Sequence, residues 1–436
     1  MLKIIVVSNV FPHIPNSTTI LFKNIVPIIK KKLEIKVFWI ITDDYGERIK
    51  AADPNYEISY LSDYNNAREI LEKIKPDLSY HFIGNSITDY AFLVAERFLK
   101  IPSFGHADSQ YVLSQSNNEV VIGNYFREQT SRKKIFLENV RQFFEKKNVG
   151  SENNIKANRG INFLKKYYFL IRTLRSIQKS HLEVIAELFE QIKLLYHPPS
   201  VGFQEKYNCD LMFTENSPSV DFLVNSGLKR ENIRVVGNPV WDNAFEKRDQ
   251  ILPKEDKKLN ILFITANLSS GQGKSDFSKA RRNQMIKETV TSLNQFHKEI
   301  SLVIKIHPTG ENYTEYSQLL EKFKNVHLSQ KDDIIDLISK SDVIITPVTS
   351  TAAIIALIMN KPIIIWNYFH VEQDLLLRTY TALECKDISE LGNCLDSVKS
   401  FREKNAERIN KFIDENFSYG NSLQRVVSEI LDLVKK

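Results

Sequence analysis

Short apolar runs alternate with amphipathic segments along the first 106 residues. Runs of β-branched and aromatic residues predict buried strands, and apolar positions spaced three and four apart predict helices between them. The predicted strands are 4–8, 35–41, 58–61, 78–83 and 102–106, and the predicted helices are 66–75 and 88–99. This order is typical of parallel βαβ units.

A second alternating series begins near residue 209. Its predicted strands are 211–214, 233–236, 259–265, 301–306, 326–328, 343–346 and 362–366, with helices at 219–226, 281–297, 316–323, 333–339 and 351–359. Both series predict doubly wound parallel sheets, so the expected fold class is α/β, with two Rossmann-like domains facing a cleft. The predicted division is an N-terminal Rossmann-like domain at 1–124, a basic helical insert at 125–205, a C-terminal Rossmann-like domain at 206–400, and terminal helices at 401–436 that return to the first domain.

Charge sets the insert apart from the rest of the chain. The 436 residues hold 59 Lys and Arg against 53 Asp and Glu, a net of +6, yet residues 126–180 hold 14 basic and 4 acidic side chains, a net of +10. Eight aromatic residues lie in the same segment. This mixture suits an anionic membrane surface, and a solvated helical excursion fits it equally. Nucleic acid is not an expected partner, because no zinc, helix-turn-helix or ribonucleoprotein signature accompanies the charge.

The three cysteines, at positions 209, 385 and 394, form no Cys-x-x-Cys pair. This spacing argues against a zinc knuckle and favours a reducing compartment. The longest unbroken apolar run, 352–359, is too short to span a bilayer, and the N-terminus does not match a signal peptide. We therefore expect a cytoplasmic protein, which the basic insert would hold at the inner face of the membrane if it binds lipid.

Candidate chemistry follows the strands of the second series, because ligands of doubly wound sheets bind beyond the carboxyl ends of the strands. Lys305-Ile306-His307-Pro308 comes directly after a predicted strand. Pro308 keeps His307 extended and ends the strand. The imidazole would then donate to a phosphate or act as a general acid, although a histidine that only closes a loop fits the same pattern. Lys305 is a further candidate for binding the phosphate-bearing donor substrate of a transfer reaction.

A hydroxyl-rich turn, Thr349-Ser350-Thr351, lies between a predicted strand and a helix of small residues. A helix N-terminus presents N–H groups that suit phosphate. N-capping requires only one hydroxyl, so three consecutive hydroxyl residues favour a phosphate-binding turn. Gly237 and Asn238, at another strand end, form a weaker candidate for donor contact.

The segment Gly271-Gln272-Gly273-Lys274-Ser275 resembles the end of a P-loop. The full pattern needs glycine where Leu268 stands, and no strand ending in a matching aspartate follows. We therefore expect a loop that contacts donor phosphates through Lys274.

Two polar residues follow the last predicted strand of the first series. His106 and Asp108 lie in Gly105-His106-Ala107-Asp108, and either would serve as a base facing an acceptor hydroxyl. A packed histidine and a helix-capping aspartate fit these positions as well, and Asp89 is a lesser candidate.

Together these motifs resemble the C-terminal half of the GT-B superfamily over about residues 210–385. The order is a Gly-Asn-Pro turn, Lys-x-His-Pro, a hydroxyl-rich turn, and Lys361-Pro362 before an apolar strand. The chain looks like bacterial capsule and lipopolysaccharide glycosyltransferases, including sialyltransferase-like and polysialyltransferase-like enzymes, and like CDP-glycerol glycerophosphotransferases. Gly237-Asn238-Pro239-Val240-x-Asp242 and Lys75-Pro76-Asp77 are also similar to UDP-N-acetylglucosamine 2-epimerases.

The resemblance implies an inverting, metal-independent glycosyltransferase without a bound cofactor. A CMP-, CDP- or UDP-linked sugar would bind the C-terminal domain, and a cell-surface glycan or lipid-linked acceptor would bind the N-terminal domain. His307 would meet the donor phosphate or assist the leaving group, and Thr349, Ser350 and Thr351 would bind that phosphate. The acidic motif of the transferases is not recognisable here, so Asp108 is the expected base.

Four other functions remain open from the sequence. Glycerophosphate transfer from a CDP donor would use the same histidine and hydroxyls. A 2-epimerase would show a His-x-Glu-Ala-Gly setting, and Gly105-His106-Ala107-Asp108 stands at that point without matching it. A non-catalytic sugar-nucleotide-binding protein and, more remotely, a P-loop nucleotide hydrolase complete the alternatives.

Overall fold

The computed structural model describes residues 3–9, 17–41, 56–82, 87–107, 151–196, 208–225, 228–248, 258–265, 279–296, 298–307, 311–323, 325–370, 374–417 and 420–435. Within these ranges the chain forms two compact units, and each is built on one parallel sheet. The first unit contains the described residues up to 236 together with 422–435, and the second contains those from 237 to 421.

A seven-stranded parallel sheet forms the centre of the first unit. Its strands are β1 (Lys3–Asn9), β2 (Ile35–Ile41), β3 (Tyr56–Tyr60), β4 (Leu78–Phe82), β5 (Ser103–Ala107), β6 (Leu211–Thr214) and β7 (Ile233–Val235). The spatial order is β3-β2-β1-β4-β5-β6-β7, so the winding reverses between β1 and β4. Such a reversal leaves a crevice at the carboxyl ends of the two strands.

Helices cover both faces of this sheet. They are α1 (Ser17–Lys30), α2 (Ala67–Ile74), α3 (Ile87–Leu99), α4 (Ser151–Ser176), α5 (His181–Tyr196), α6 (Pro218–Asn225) and the C-terminal α15 (Ser422–Lys435). On one face, α1 and α15 pack against alternate strand residues through side chains such as Phe22 and Val427. On the other face, α2, α3 and α4 pack through Leu71, Phe92 and Leu170. This alternation follows the two-residue period of the strands.

The second unit holds a six-stranded parallel sheet. Its strands are β8 (Leu259–Ile264), β9 (Ile300–Lys305), β10 (Val326–Ser329), β11 (Val343–Thr346), β12 (Ile363–Trp366) and β13 (Leu383–Cys385). Its helices are α7 (Pro239–Arg248), α8 (Lys279–Asn294), α9 (Tyr313–Leu320), α10 (Ile334–Lys340), α11 (Thr351–Ile358), α12 (Leu375–Arg378), α13 (Leu391–Lys404) and α14 (Ala406–Asn416). The order β10-β9-β8-β11-β12-β13 places the reversal between β8 and β11.

The α/β class with two parallel sheets is confirmed, and the units divide at a different place from the one expected. The apolar pattern predicts a C-terminal domain that begins at 206, whereas β6 and β7 extend the first sheet by pairing with β5 and with each other. The division therefore falls after Val236. A buried strand such as β6 belongs to whichever sheet contains the strand it pairs with, here β5. A pattern of apolar runs does not reveal this pairing.

Among the described helices, none has both the length and the apolar character that crossing a membrane requires. The insert expected at 125–205 is described only from 151, where α4 and α5 form its helical part.

Candidate functional site

The carboxyl ends of three neighbouring strands of the second sheet carry the polar residues of the candidate site. Thr265 follows β8, His307 follows β9, and Thr346 ends β11, and β9, β8 and β11 lie side by side. Two of these strands flank the reversal of the sheet. The fold thus separates the His307 segment by only one strand from β11, which leads into the turn at 349–351.

His307 is held in place through its backbone by a buried carboxylate. The His307 N–H donates to Glu311 Oε2 at 2.9 Å and lies 3.3 Å from Thr265 Oγ1. The Thr265 hydroxyl donates to the same Glu311 oxygen at 2.6 Å. On the acceptor side, the His307 carbonyl receives the Gln330 side-chain N–H at 3.2 Å. The main chain at His307 is therefore fixed on both sides, and its imidazole is half-buried.

Glu311 is the centre of this arrangement. Its carboxylate is fully buried, and its second oxygen, Oε1, accepts the Tyr316 hydroxyl at 2.5 Å. Arg282, also buried, places its guanidinium 3.7 Å from Oε1 and over the Tyr316 ring. Burial, reinforced by the Glu311 charge, raises the pKa of Tyr316, so this hydroxyl remains a donor. A buried charge needs such partners to be tolerated.

Lys305 uses its ammonium within the fold. Its Nζ donates to the backbone carbonyls of Gln330 at 2.6 Å and Asp332 at 2.8 Å, in the connection from β10 to α10. Burial lowers the pKa of Lys305. These bonds give Lys305 a structural role, so the expected contact with a donor has no support from its geometry.

The three hydroxyls of the turn before α11 have three different surroundings. Thr349 is buried, and both its N–H and its hydroxyl donate to Asp374 at 2.5 Å. The Ser350 hydroxyl accepts the Ala353 N–H at 3.2 Å and so forms the N-cap of α11. Thr351 is exposed at the first position of the helix. The turn is thus partly structural: Thr349 anchors it, Ser350 caps the helix, and Thr351 lies at the solvent-exposed start.

Gly237 and Asn238 shape the start of α7. Gly237 has φ +82°, a conformation that glycine adopts without strain. Asn238 Oδ1 accepts the Val240 N–H at 2.9 Å, and Pro239 occupies the first helical position. Asp242 accepts the Gly420 N–H at 2.8 Å. The expected tight turn at Gly237 is therefore present, and a helix follows it directly, for which proline at the first position is a recognised signal.

The first sheet carries two buried histidines near the carboxyl ends of β4 and β5. His81 lies between two carboxylates, with Nε2 2.9 Å from Glu96 Oε2 and Nδ1 3.4 Å from Asp89 Oδ1. Burial alone would lower its pKa, but the charge of Glu96 and the contacts with both carboxylates raise the pKa of His81 to about 10. His81 is therefore a buried imidazolium, and Asp89 is one of its partners.

His106, on β5, has the opposite environment. Its Nε2 is buried, with no hydrogen-bond partner among the described residues, and Glu215 Oε1 lies 3.7 Å away. Burial lowers the pKa of His106 to about 4, so the imidazole is neutral at pH 7. The proposed base Asp108 and the loop residue Lys274 lie outside the described residues.

Sequence reasoning missed the buried partners Glu311, Arg282, Asp374 and Glu96. Glu311 lies only four residues after His307, whereas Arg282, Asp374 and Glu96 contact residues 15 or more positions away in the chain. The one available signal is a charged residue inside an otherwise apolar helical face, as for Arg282 in α8 and Glu96 in α3. Within the described ranges, His, Cys, Asp and Glu side chains form no group of three or more that could hold a metal ion.

Two parallel sheets with the winding described above define an α/β protein of the GT-B fold. Among solved structures, CalG4, the calicheamicin glycosyltransferase, aligns over 100% of this chain and 99% of its own, with a TM-score of 0.51 and 11% identity. The UDP-GlcNAc 2-epimerase of Methanocaldococcus jannaschii, in complex with UDP-GlcNAc and UDP, aligns over 99% and 100%, with a TM-score of 0.49 and 12% identity. MurG of Acinetobacter baumannii aligns over 99% of both chains, with a TM-score of 0.46 and 11% identity.

The chain belongs to the UDP-N-acetylglucosamine 2-epimerase family, whose model matches residues 207–431. This match runs from β6 into α15, ending at residue 431, and includes every described residue of the second unit. The expected similarity to GT-B proteins and to these epimerases is confirmed. No curated protein sequence matches the chain.

Proposed function

We propose that this protein binds a UDP-linked sugar at the carboxyl edge of the second sheet and catalyses a reaction of that sugar. Family membership carries the proposal, because the matched residues 207–431 include this edge. In the proposed mechanism, hydrogen-bond donors come from His307, which is held by its backbone at a strand end, and from the N-capped start of α11. They would stabilise the negative charge of a diphosphate without having to reorganise.

Epimerisation at carbon 2 of the sugar is the first candidate reaction, since the family match favours it. It breaks the C2–H bond and forms a new one on the opposite face, so it needs a group that removes the proton and a group that returns one. We propose that the neutral imidazole of His106 and the carboxyl group of Asp108 contribute to these two proton transfers. They keep the histidine and acid spacing of the His-x-Glu pattern expected for such enzymes.

Inverting glycosyl transfer to a surface glycan or lipid-linked acceptor is the second candidate. One observation favours it: the acid at Asp108 is one methylene shorter than the glutamate of that pattern, and Ser109 replaces the alanine that follows. In this reaction Asp108 would take the proton of the acceptor hydroxyl while His307 assists the departing diphosphate. Both reactions are proposed to proceed without a bound cofactor or metal.

Incubation with UDP-N-acetylglucosamine in D2O without an acceptor separates the two candidates. Epimerisation places deuterium at C2 and forms a second UDP-sugar, both visible by NMR. Transfer leaves C2 unlabelled and releases UDP only when an acceptor fraction is added. If neither reaction occurs and no UDP- or CDP-dependent thermal stabilisation is seen, the proposal is wrong.

His307→Ala tests the role of the imidazole. We expect turnover to fall by about 10²–10⁴-fold if it acts as a general acid, with little change in the free energy of unfolding. The matched control is His327→Ala, an exposed histidine on β10 of the same sheet. Equal turnover in both variants would refute a catalytic role for His307.

A further inference from the structure

Exposed apolar side chains are concentrated on α4 and α5. Nine large hydrophobic residues are exposed in the part of the chain that the structure describes, and five of them lie on these two helices. They are Leu164 and Tyr168 on α4 and Leu182, Ile185 and Phe189 on α5. Leu182 and Phe189 are 80% and 61% exposed, so most of each side chain contacts solvent. A patch of this kind marks an interaction surface.

On α5 the exposed residues form one stripe opposite the buried face. Leu182, Ile185 and Phe189 are spaced three and four apart, which places them along one side of the helix. Val184 and Gln191 are buried on the other side. The helix therefore buries one side within the unit and carries an apolar stripe on its outer side, which nothing in the described residues covers.

On α4 the outer side combines apolar and basic residues. Leu164, Tyr168, Arg172 and Arg175 follow one another at helical spacing, with Lys165 beside them, while Phe169, Leu170 and Leu174 are buried. The Arg172 guanidinium stacks 4.1 Å from the Tyr168 ring centre and donates to its hydroxyl at 3.0 Å. Because α4 and α5 bury their inner sides in the same apolar cluster, their outer sides are both directed away from that cluster. We use the name outer face for the five exposed apolar residues together with Lys165, Arg172 and Arg175, which lie on the solvent-exposed sides of the two helices.

The charges favour an anionic partner for the outer face. Residues 126–180, which include α4, carry a net charge of +10, whereas the rest of the chain is net negative. The three carboxylates of α5 all have partners: Glu183 pairs with Lys179 at 2.9 Å, Glu187 accepts the Tyr90 hydroxyl at 2.5 Å, and Glu190 also interacts with a neighbouring group. Apolar side chains beside basic ones match the depth profile of a bilayer surface, with acyl chains below and anionic headgroups above.

We propose that the outer face is a docking surface for an anionic lipid bilayer. Leu182, Ile185 and Phe189 enter the boundary between headgroups and acyl chains, and Lys165, Arg172 and Arg175 lie among the phosphates. The helices lie on the membrane and do not cross it. The inference is independent of the reaction proposed above, because it requires no nucleotide sugar.

Sedimentation of the full chain with vesicles tests this proposal. We expect binding to vesicles of phosphatidylcholine mixed with phosphatidylglycerol, weak binding to phosphatidylcholine alone, and weakening of binding by salt. Combined Leu182→Ser, Ile185→Ser and Phe189→Ser should reduce affinity at least about tenfold. Lys165→Gln with Arg175→Gln should reduce it about fivefold per charge.

A matched control carries serine at exposed apolar positions away from the outer face, Val224→Ser with Tyr380→Ser, and should bind as the wild type does. Thermal unfolding of every variant checks that the fold is retained. Absence of wild-type binding to the anionic vesicles, or equal binding by the triple variant, would overturn the proposal. So would self-association of the wild type in solution that the triple variant abolishes, since the outer face would then be an interface between two copies of the chain.

Discussion

The carboxyl-end regions of the two sheets hold their histidines in different ways. In the second unit, His307 is anchored by its backbone, and the buried Glu311 carboxylate that accepts its N–H is balanced by Arg282. In the first unit, His81 and His106 lie buried in the sheet itself. The first arrangement fixes the main chain and leaves the imidazole half-buried at the edge. The second fixes the protonation state of each imidazole.

The two buried histidines show how strongly surroundings decide that state. They lie on adjacent strands, yet Glu96 and Asp89 raise the pKa of His81 to about 10, while burial without a hydrogen bond to Nε2 lowers the pKa of His106 to about 4. At pH 7 one is therefore charged and the other neutral. Whether a histidine at a strand end is charged or neutral thus depends on neighbouring groups that no local sequence pattern reveals.

Removal of the Glu311 carboxylate should lower the free energy of unfolding more than any other change considered, because it disrupts the hydrogen bonds and the ion pair around His307 in the second unit. Glu311→Ala leaves Arg282 buried beside an empty space and deprives Thr265, Tyr316 and the His307 N–H of their acceptor. We expect a loss of about 3–5 kcal/mol in the free energy of unfolding, measured with urea.

Glu315→Ala is the matched control, because Glu315 lies on α9 just after Glu311 and approaches the same Arg282 at 3.5 Å. Its carboxylate is 36% exposed, so the expected loss is below about 1 kcal/mol. Similar losses in the two variants would show that burial does not distinguish these carboxylates.

The corresponding change in the first unit is Glu96→Gln. It removes the main anionic partner of His81 and should cost about 2–3 kcal/mol at pH 7. This is less than for Glu311→Ala, because the buried histidine can release its proton whereas arginine cannot.

Glu96→Gln should also change how the free energy of unfolding depends on pH. The pKa of His81 is raised on folding, so its stabilising contribution is complete below about pH 6.5, the ordinary histidine value, and is lost as pH rises toward 10. Urea unfolding at pH 7 and pH 10 should show a smaller alkaline loss for Glu96→Gln than for the wild type. An unchanged alkaline loss would mean that His81 is not the group responsible.

Packing around His81 supplies a smaller effect. Gly105 lies opposite His81 across the β4–β5 pairing, and an added Cβ would lie 2.8 Å from both the His81 carbonyl oxygen and Cys209 Sγ. We expect Gly105→Ala to cost about 1–3 kcal/mol by thermal or urea unfolding. In Gly392→Ala, where the added Cβ meets only the Phe296 ring at 3.7 Å, stability should stay the same or rise slightly. A neutral Gly105→Ala would show that β4, β5 and β6 are not closely packed there.

The sequence predicts the strands better than it predicts the site. The predicted bounds of β2, β6 and β11 match those of the structure, because buried parallel strands are continuous apolar runs. Helix α7 is the clearest omission: the turn expected at Gly237 is present, but the helix that starts at the following proline is not predicted. The histidines and hydroxyls at the strand ends can be found from sequence, but the surroundings of Thr349 and His81 depend on Asp374 and Glu96, which only the folded chain brings near them.

The smallest expected effect concerns the start of α11, where capping and phosphate binding make different demands on Ser350. Ser350→Ala should cost about 1 kcal/mol, because the Ala353 N–H loses its acceptor. Ser350→Asp and Ser350→Asn both restore a cap, so both should unfold with wild-type stability. If a nucleotide diphosphate binds at this helix start, the aspartate variant alone should lose affinity for UDP through charge repulsion, by about tenfold or more, as measured by calorimetry. Equal UDP affinity in the aspartate and asparagine variants would place the diphosphate elsewhere and leave Ser350 as a cap only.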